Sequence, residues 1–114
     1  MWVYLNNAFL SIVQHRDDPG ALLVRARRHD DLFRFLSGND AGIGIEIERT
    51  PEADYPYRAR VPRLTLGHLL ADQALRIDYD NFKASLRSPL RAAAYTEAYH
   101  ATETLDERDS PPDP

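Results

Sequence analysis

Over residues 4–16 an apolar opening runs into A-F-L-S-I-V-Q-H. Branched and aromatic side chains recur there, which predicts a strand. Asp17, Asp18, Pro19 and Gly20 follow. In such a cluster proline presets φ and glycine tolerates positive φ, so the chain turns. L-L-V-R-A-R over 22–27 resumes as a second strand, and the two form a hairpin whose loop exceeds two residues. Across 28–38 the period lengthens. Leu32, Phe33 and Leu36 fall at helical spacing with Phe35 beside them, Asp30 or Asp31 sits at the helix start, and Ser37, Gly38 and Asn39 stop it.

The next stretch alternates most cleanly. Ile43, Ile45 and Ile47 interleave with Gly44, Glu46 and Glu48, predicting a third strand. Tyr57, Ala59 and Val61 alternate with Arg58 and Arg60 in a fourth, bracketed by Pro56 and Pro62. Thr65 is placed to cap a helix whose apolar stripe is Leu66, Leu69, Leu70 and Leu75. Asp78 is placed to cap a shorter helix carrying Phe82 and Leu86. Ser88 and Pro89 open a last, alanine-rich helix over 90–102, because proline at the first turn loses no needed hydrogen bond.

The order β-β-α-β-β-α with an additional C-terminal helix implies an α+β fold. Its sheet is four-stranded and mainly antiparallel, and its helices pack on one face. Residues 1–102 read as one domain and 103–114 as an acidic, proline-containing disordered tail. The tail holds Glu103, Asp106, Glu107, Asp109 and Asp113 against Arg108 alone, and so carries the whole net charge of −4. The first 102 residues are formally neutral. That removes the general basic excess of a nucleic-acid binder and leaves room only for a local patch. Cysteine is absent, which excludes disulfides and thiolate chemistry. No signal-peptide pattern or membrane-length apolar run is present, so the expectation is a cytoplasmic protein.

Candidate chemistry follows from the two-residue period of strands. With the apolar sides turned to the helices, Arg25 and Arg27 point outward from the second strand. Glu46 and Glu48 do so from the third, and Arg58 and Arg60 from the fourth. One reading is a neutral lattice of cross-strand pairs. The other is that arginines remain free for phosphate, RNA or an acidic protein, since guanidinium forks match such anions. Strand order decides between them. If the two arginine strands are neighbours, their charges cluster. If the glutamate strand lies between them, they neutralise.

Among the basic residues Lys83 is the only lysine, a bias that coding composition alone can produce. His15 and Arg16 close the first strand, and a group of His15, His29 and Asp30 would supply an acid or base near neutral pH. Scattered surface histidines are the plainer reading. No histidine spacing suits a metal, and no cofactor motif is present. The glycines 38, 42 and 44 follow a helix and enter a strand, the reverse of a phosphate loop. Tyr55 and Tyr57 could stack bases, but parity places both on one face, inward.

The runs N-N-A-F-L-S-I-V-Q-H-R, L-L-V-R-A-R, Y-R-A-R-V-P-R and I-D-Y-D-N-F-K together resemble a family of small uncharacterised bacterial proteins, over residues 4–86. The resemblance implies a bacterial cytoplasmic, phage- or plasmid-associated origin and no activity. The functional expectation is therefore a non-enzymatic binding or regulatory protein. It would use Arg25, Arg27, Arg58 and Arg60, with His15 and Arg16, toward a protein partner or anionic ligand. Nucleic-acid binding is the alternative, and a small hydrolase using His15 is a more distant one. An open sheet edge would also suit a homodimer.

Overall fold

A computed structural model describes residues 1–106 and 113. The structure divides into two compact units, Met1–Asp78 and Tyr79–Pro114.

The first unit is a five-stranded sheet with two helices. Its strands are β1 (Trp2–Leu5), β2 (Ala8–Gln14), β3 (Ala21–Ala26), β4 (Glu48–Arg49) and β5 (Tyr57–Pro62). Their order across the sheet is β1-β2-β3-β5-β4, and every pairing is antiparallel. The helices are α1 (His29–Ser37) and α2 (Arg63–Leu75). Leu10, Ile12, Val24, Ala26, Ala59 and Val61 on one side of the sheet meet Leu32, Phe35, Leu36, Leu66 and Leu69 of the helices in a single core. Leu10, Leu32, Leu66 and Leu69 are fully buried. Each such side chain contributes roughly 1.5–3 kcal/mol by leaving water, so this helix-on-sheet layer holds the unit together.

Several expectations are corrected here. The first predicted strand is two strands, because Asn6 and Asn7 turn the chain between Leu5 and Ala8. Neither residue has positive φ, so the turn lacks the glycine signature of the favoured hairpin loops. The third predicted strand is reduced to Glu48 and Arg49. Before it, Asp40–Gly42 forms a 3-10 turn capped by the Asn39 side chain, and Ile43 is exposed. Ile45 and Ile47 still pack on the core, but from an extended connection outside the sheet ladder. Alternation reports one-sided burial of extended chain and not strand pairing.

In α1 the buried apolar positions are Leu32, Phe35 and Leu36, while Phe33 is exposed and stacks on His29. Helix α2 starts as soon as β5 ends, with Pro62 at its cap, so Thr65 lies inside it and caps nothing. Leu75 is solvent-exposed, and the stripe is Leu66, Leu69 and the half-buried Leu70.

A buried carboxylate ties α1 to the first hairpin. Asp31 Oδ2 accepts from the Phe9 amide at 3.0 Å and Asp31 Oδ1 from Arg34 Nη2 at 3.0 Å. Arg34 also donates from Nε and Nη2 to the Asn7 carbonyl. The acidic residues in the first turn of α1 suit its positive end.

In the second unit the expected helix around Phe82 is only a 3-10 turn, Lys83–Ser85, with Asn81 Oδ1 accepting from the Ala84 amide. Ser88 caps helix α3 (Pro89–Thr102) and Pro89 occupies its first turn, as the sequence indicates. The new start at Ser88 leaves the preceding segment too short for a stable helix of its own. Phe82 stacks on Tyr95 at 5.9 Å between centroids, and Arg91 Nη1 donates to the Tyr95 hydroxyl. Glu103–Leu105 forms a further 3-10 turn. The rest of the tail reading, at 107–112 and 114, lies outside the described residues.

Candidate functional site

The side of the sheet opposite α1 and α2 is set by cross-strand register. One row runs Trp2, Ser11, Arg25, Arg58 and Glu48 across all five strands. Beside it lie Tyr4 and Phe9, with Arg27 just past the end of β3, and on the other side Val13, Leu23 and Arg60. The outward arginines are where the two-residue period puts them. Their strands, β3 and β5, are adjacent, so Arg25 and Arg58 stand directly opposite each other. Like charges in such a pair oppose folding.

Tyr55 is what gathers them. Its ring is buried on this face, with the Arg25 and Arg27 guanidinium carbons at 4.8 and 4.7 Å from its centroid. Its carbonyl accepts from Arg58 Nε at 3.2 Å. Arg25 Nη2 donates to Ser11 Oγ at 2.7 Å, and Arg27 Nη1 to the Asp54 carbonyl at 3.1 Å. All three cations are thus held by neutral acceptors and a π face. Among the described residues no carboxylate lies within ion-pair distance of Arg25, Arg27 or Arg58. Glu48 faces Arg58 in the register without pairing to it, and Glu46 is exposed in the connection outside the sheet. Arg25 Nε is buried with no acceptor. A buried donor left unmade is costly, so the guanidinium is kept here at the expense of stability.

Arg60 differs. Its Nε and Nη2 both donate to Asp18 Oδ2 in the β2–β3 turn, at 2.9 and 2.5 Å. The hydrogen bond from Arg60, then that from the Gly20 amide, hold the Asp18 carboxyl below its ordinary value. The expected neutralisation by glutamates is therefore replaced by a turn aspartate, and only at one of the four arginines.

The aromatic part of the face was missed. The inward placement of Tyr55 fails because β5 begins at Tyr57, and parity cannot be counted back through Pro56. Tyr57 does face the core. Trp2 is 65% exposed, edge-on to Phe9 at 6.5 Å, and Tyr4 stacks on Phe9 at 4.7 Å. Phe9 in turn lies 6.4 Å from Tyr55. The alternation W-V-Y-L is the signal that could have found β1. The result is a strip of rings running into three arginines.

His15 and His29 do not meet. His15 follows β2 at the end of the sheet where β3 begins, and its Nδ1 accepts from the Asp17 amide. His29 lies beyond the far end of β3, against Phe33, Tyr57 and Asp30. A six-residue strand separates them by roughly 20 Å. Arg16 is exposed beside His15, off the arginine row. Among the described residues no three histidine or acidic side chains are placed to hold a metal ion, and no helix is long and apolar enough to cross a membrane.

No family model, curated protein or solved structure matches the chain. The functional reading therefore rests on the face itself.

Proposed function

We propose that this protein is a non-enzymatic binding module whose outer sheet face holds an anionic partner. The observation that carries the reading is the direct opposition of Arg25 and Arg58 on neighbouring strands, with Arg27 beside them and, among the described residues, no carboxylate within ion-pair distance of any of the three. An arriving anion relieves that repulsion and finds guanidinium forks already positioned by Tyr55. Binding is favoured over chemistry because His15 and His29 lie at opposite ends of β3 and, among the described residues, no acid–base pair accompanies the arginines.

The test uses a ligand that is nothing but charge. Labelled inorganic polyphosphate is titrated against the native protein, an Arg25→Gln/Arg58→Gln double variant and an Arg16→Gln control, with folding checked by circular dichroism. Native and control should bind alike, with affinity falling as salt rises. The double variant should bind at least about ten-fold more weakly, since hydrogen bonds to charged groups contribute about 1.5–3 kcal/mol each. Equal affinity of all three would remove the face from the account.

A further inference from the structure

We infer that the anion held by this face is a single-stranded nucleic acid, with bases stacked on Trp2 and the Tyr4–Phe9 pair and phosphates on Arg27 and Arg58. The inference rests on the binding reading above and adds the chemical class of the ligand. Two sets of groups have to be satisfied at once. The arginines call for a polyanion. The rings call for flat apolar surfaces, because Trp2 is left 65% exposed on the same face and adjoins Arg25 through Ser11 in one cross-strand row.

An acidic peptide would meet the arginines and leave Trp2 in water. A nucleic-acid strand carries both groups in alternation, a phosphate between each pair of bases. Strips of aromatic rings bordered by arginine bind single strands in this way. A duplex fits poorly, since its bases are already stacked on one another and this face offers no helix or ribbon for a groove.

Recognition by this face is sequence-tolerant. The one polar side chain between the ring strip and the arginines, Ser11, is buried, and its hydroxyl is taken by Arg25. No side-chain amide stands in the row to read a base edge. The footprint is short, about two to three nucleotides, as for other open sheet faces that stack bases. With two phosphates neutralised, log K should fall with log salt at a slope of about −1.4. The formally neutral 1–102 segment fits that shallow slope, because binding then depends on the local patch and not on overall charge.

Trp2 is the single tryptophan of the chain, so its fluorescence reports on this face directly. A uridine decamer, an abasic decamer of equal charge, inorganic polyphosphate, a duplex decamer and a polyglutamate peptide are titrated in turn. The uridine strand should quench Trp2 and bind about ten-fold or more tightly than the abasic strand, given the contribution of each stacked base. Trp2→Ala, followed by anisotropy of a labelled strand, should lose that advantage while polyphosphate binding is unchanged, and Trp2→Phe should restore part of it.

Equal affinity for abasic and uridine strands, or an unaltered advantage in Trp2→Ala, overturns the stacking inference and leaves the anion reading in place. A duplex or polyglutamate bound as tightly as the uridine strand overturns it too, and polyglutamate would then assign the face to an acidic protein. No binding of any of the five would remove both readings.

Discussion

At the residue scale the ring of Tyr55 carries the arrangement. It neutralises nothing, yet two guanidiniums lie against it and a third donates to its carbonyl. If the ring rather than the hydroxyl is what matters, Tyr55→Phe should cost under about 1 kcal/mol and Tyr55→Ala about 3 kcal/mol, as for other buried aromatics. Denaturant titration of both variants checks this, and equal losses would shift the role to the hydroxyl. The Asp18–Arg60 pair gives a pH signature. Asp18 has a depressed carboxyl in the folded state, so its stabilising effect is present at neutral pH. It is lost as pH falls below the usual carboxylate range. Asp18→Asn should flatten that part of the acid limb of a stability–pH curve, the pair being too exposed for a large effect. The arginines were legible one by one because parity within a strand is reliable. Their partners were not: Asp18 lies 42 residues from Arg60, and no local pattern joins them.

At the element scale the segment between α1 and β4 shows how far a pattern can mislead. Ile45 and Ile47 sort inward as an alternating strand would, but Gly42 lies so close to α1 that a Cβ there would stand 2.1 Å from the Leu36 carbonyl oxygen. That close approach keeps the chain against the helix and away from the sheet until Glu48. Gly42→Ala should therefore destabilise by about 1–3 kcal/mol. Gly67 is the opposite case. It sits mid-helix in α2 with open space where a Cβ would go, so Gly67→Ala should stabilise by about 0.5–1 kcal/mol. Thermal unfolding of the two variants should show midpoints moving in opposite directions. The helix starts at Ser88 and near Asp30 were readable because caps and charges act locally. The Asn6–Asn7 turn was passed over because it carries neither glycine nor proline, although paired asparagines between apolar residues are themselves a turn signal.

At the scale of the whole molecule, the α+β class and the antiparallel sheet followed from the order of periods along the chain. The strand order did not, since loops long enough to reach either neighbour leave it open. The adjacency of β3 and β5 is what makes the arginine face a patch instead of a lattice. Protection should follow the same layout. Strand β3 is paired on both sides and packed under α1 and α2, while β4 has two residues at the margin. Hydrogen exchange should be slowest in β3 and the β2 and β5 positions bonded to it, and fast at 43–49. Slow exchange throughout 43–49 would mean that this connection is held as firmly as the sheet.

The brevity of β4 has an effect on self-association. It covers only Tyr57 and Arg58 of its neighbour, so the rest of β5 ends the sheet without a strand alongside. A naked border of that kind can template fibrils. Here it ends in Pro62, which has no amide to offer, and it carries the Arg60–Asp18 ion pair, whose charged groups any incoming copy would have to desolvate. The same two-residue strand thus leaves a boundary ill-suited to aggregation.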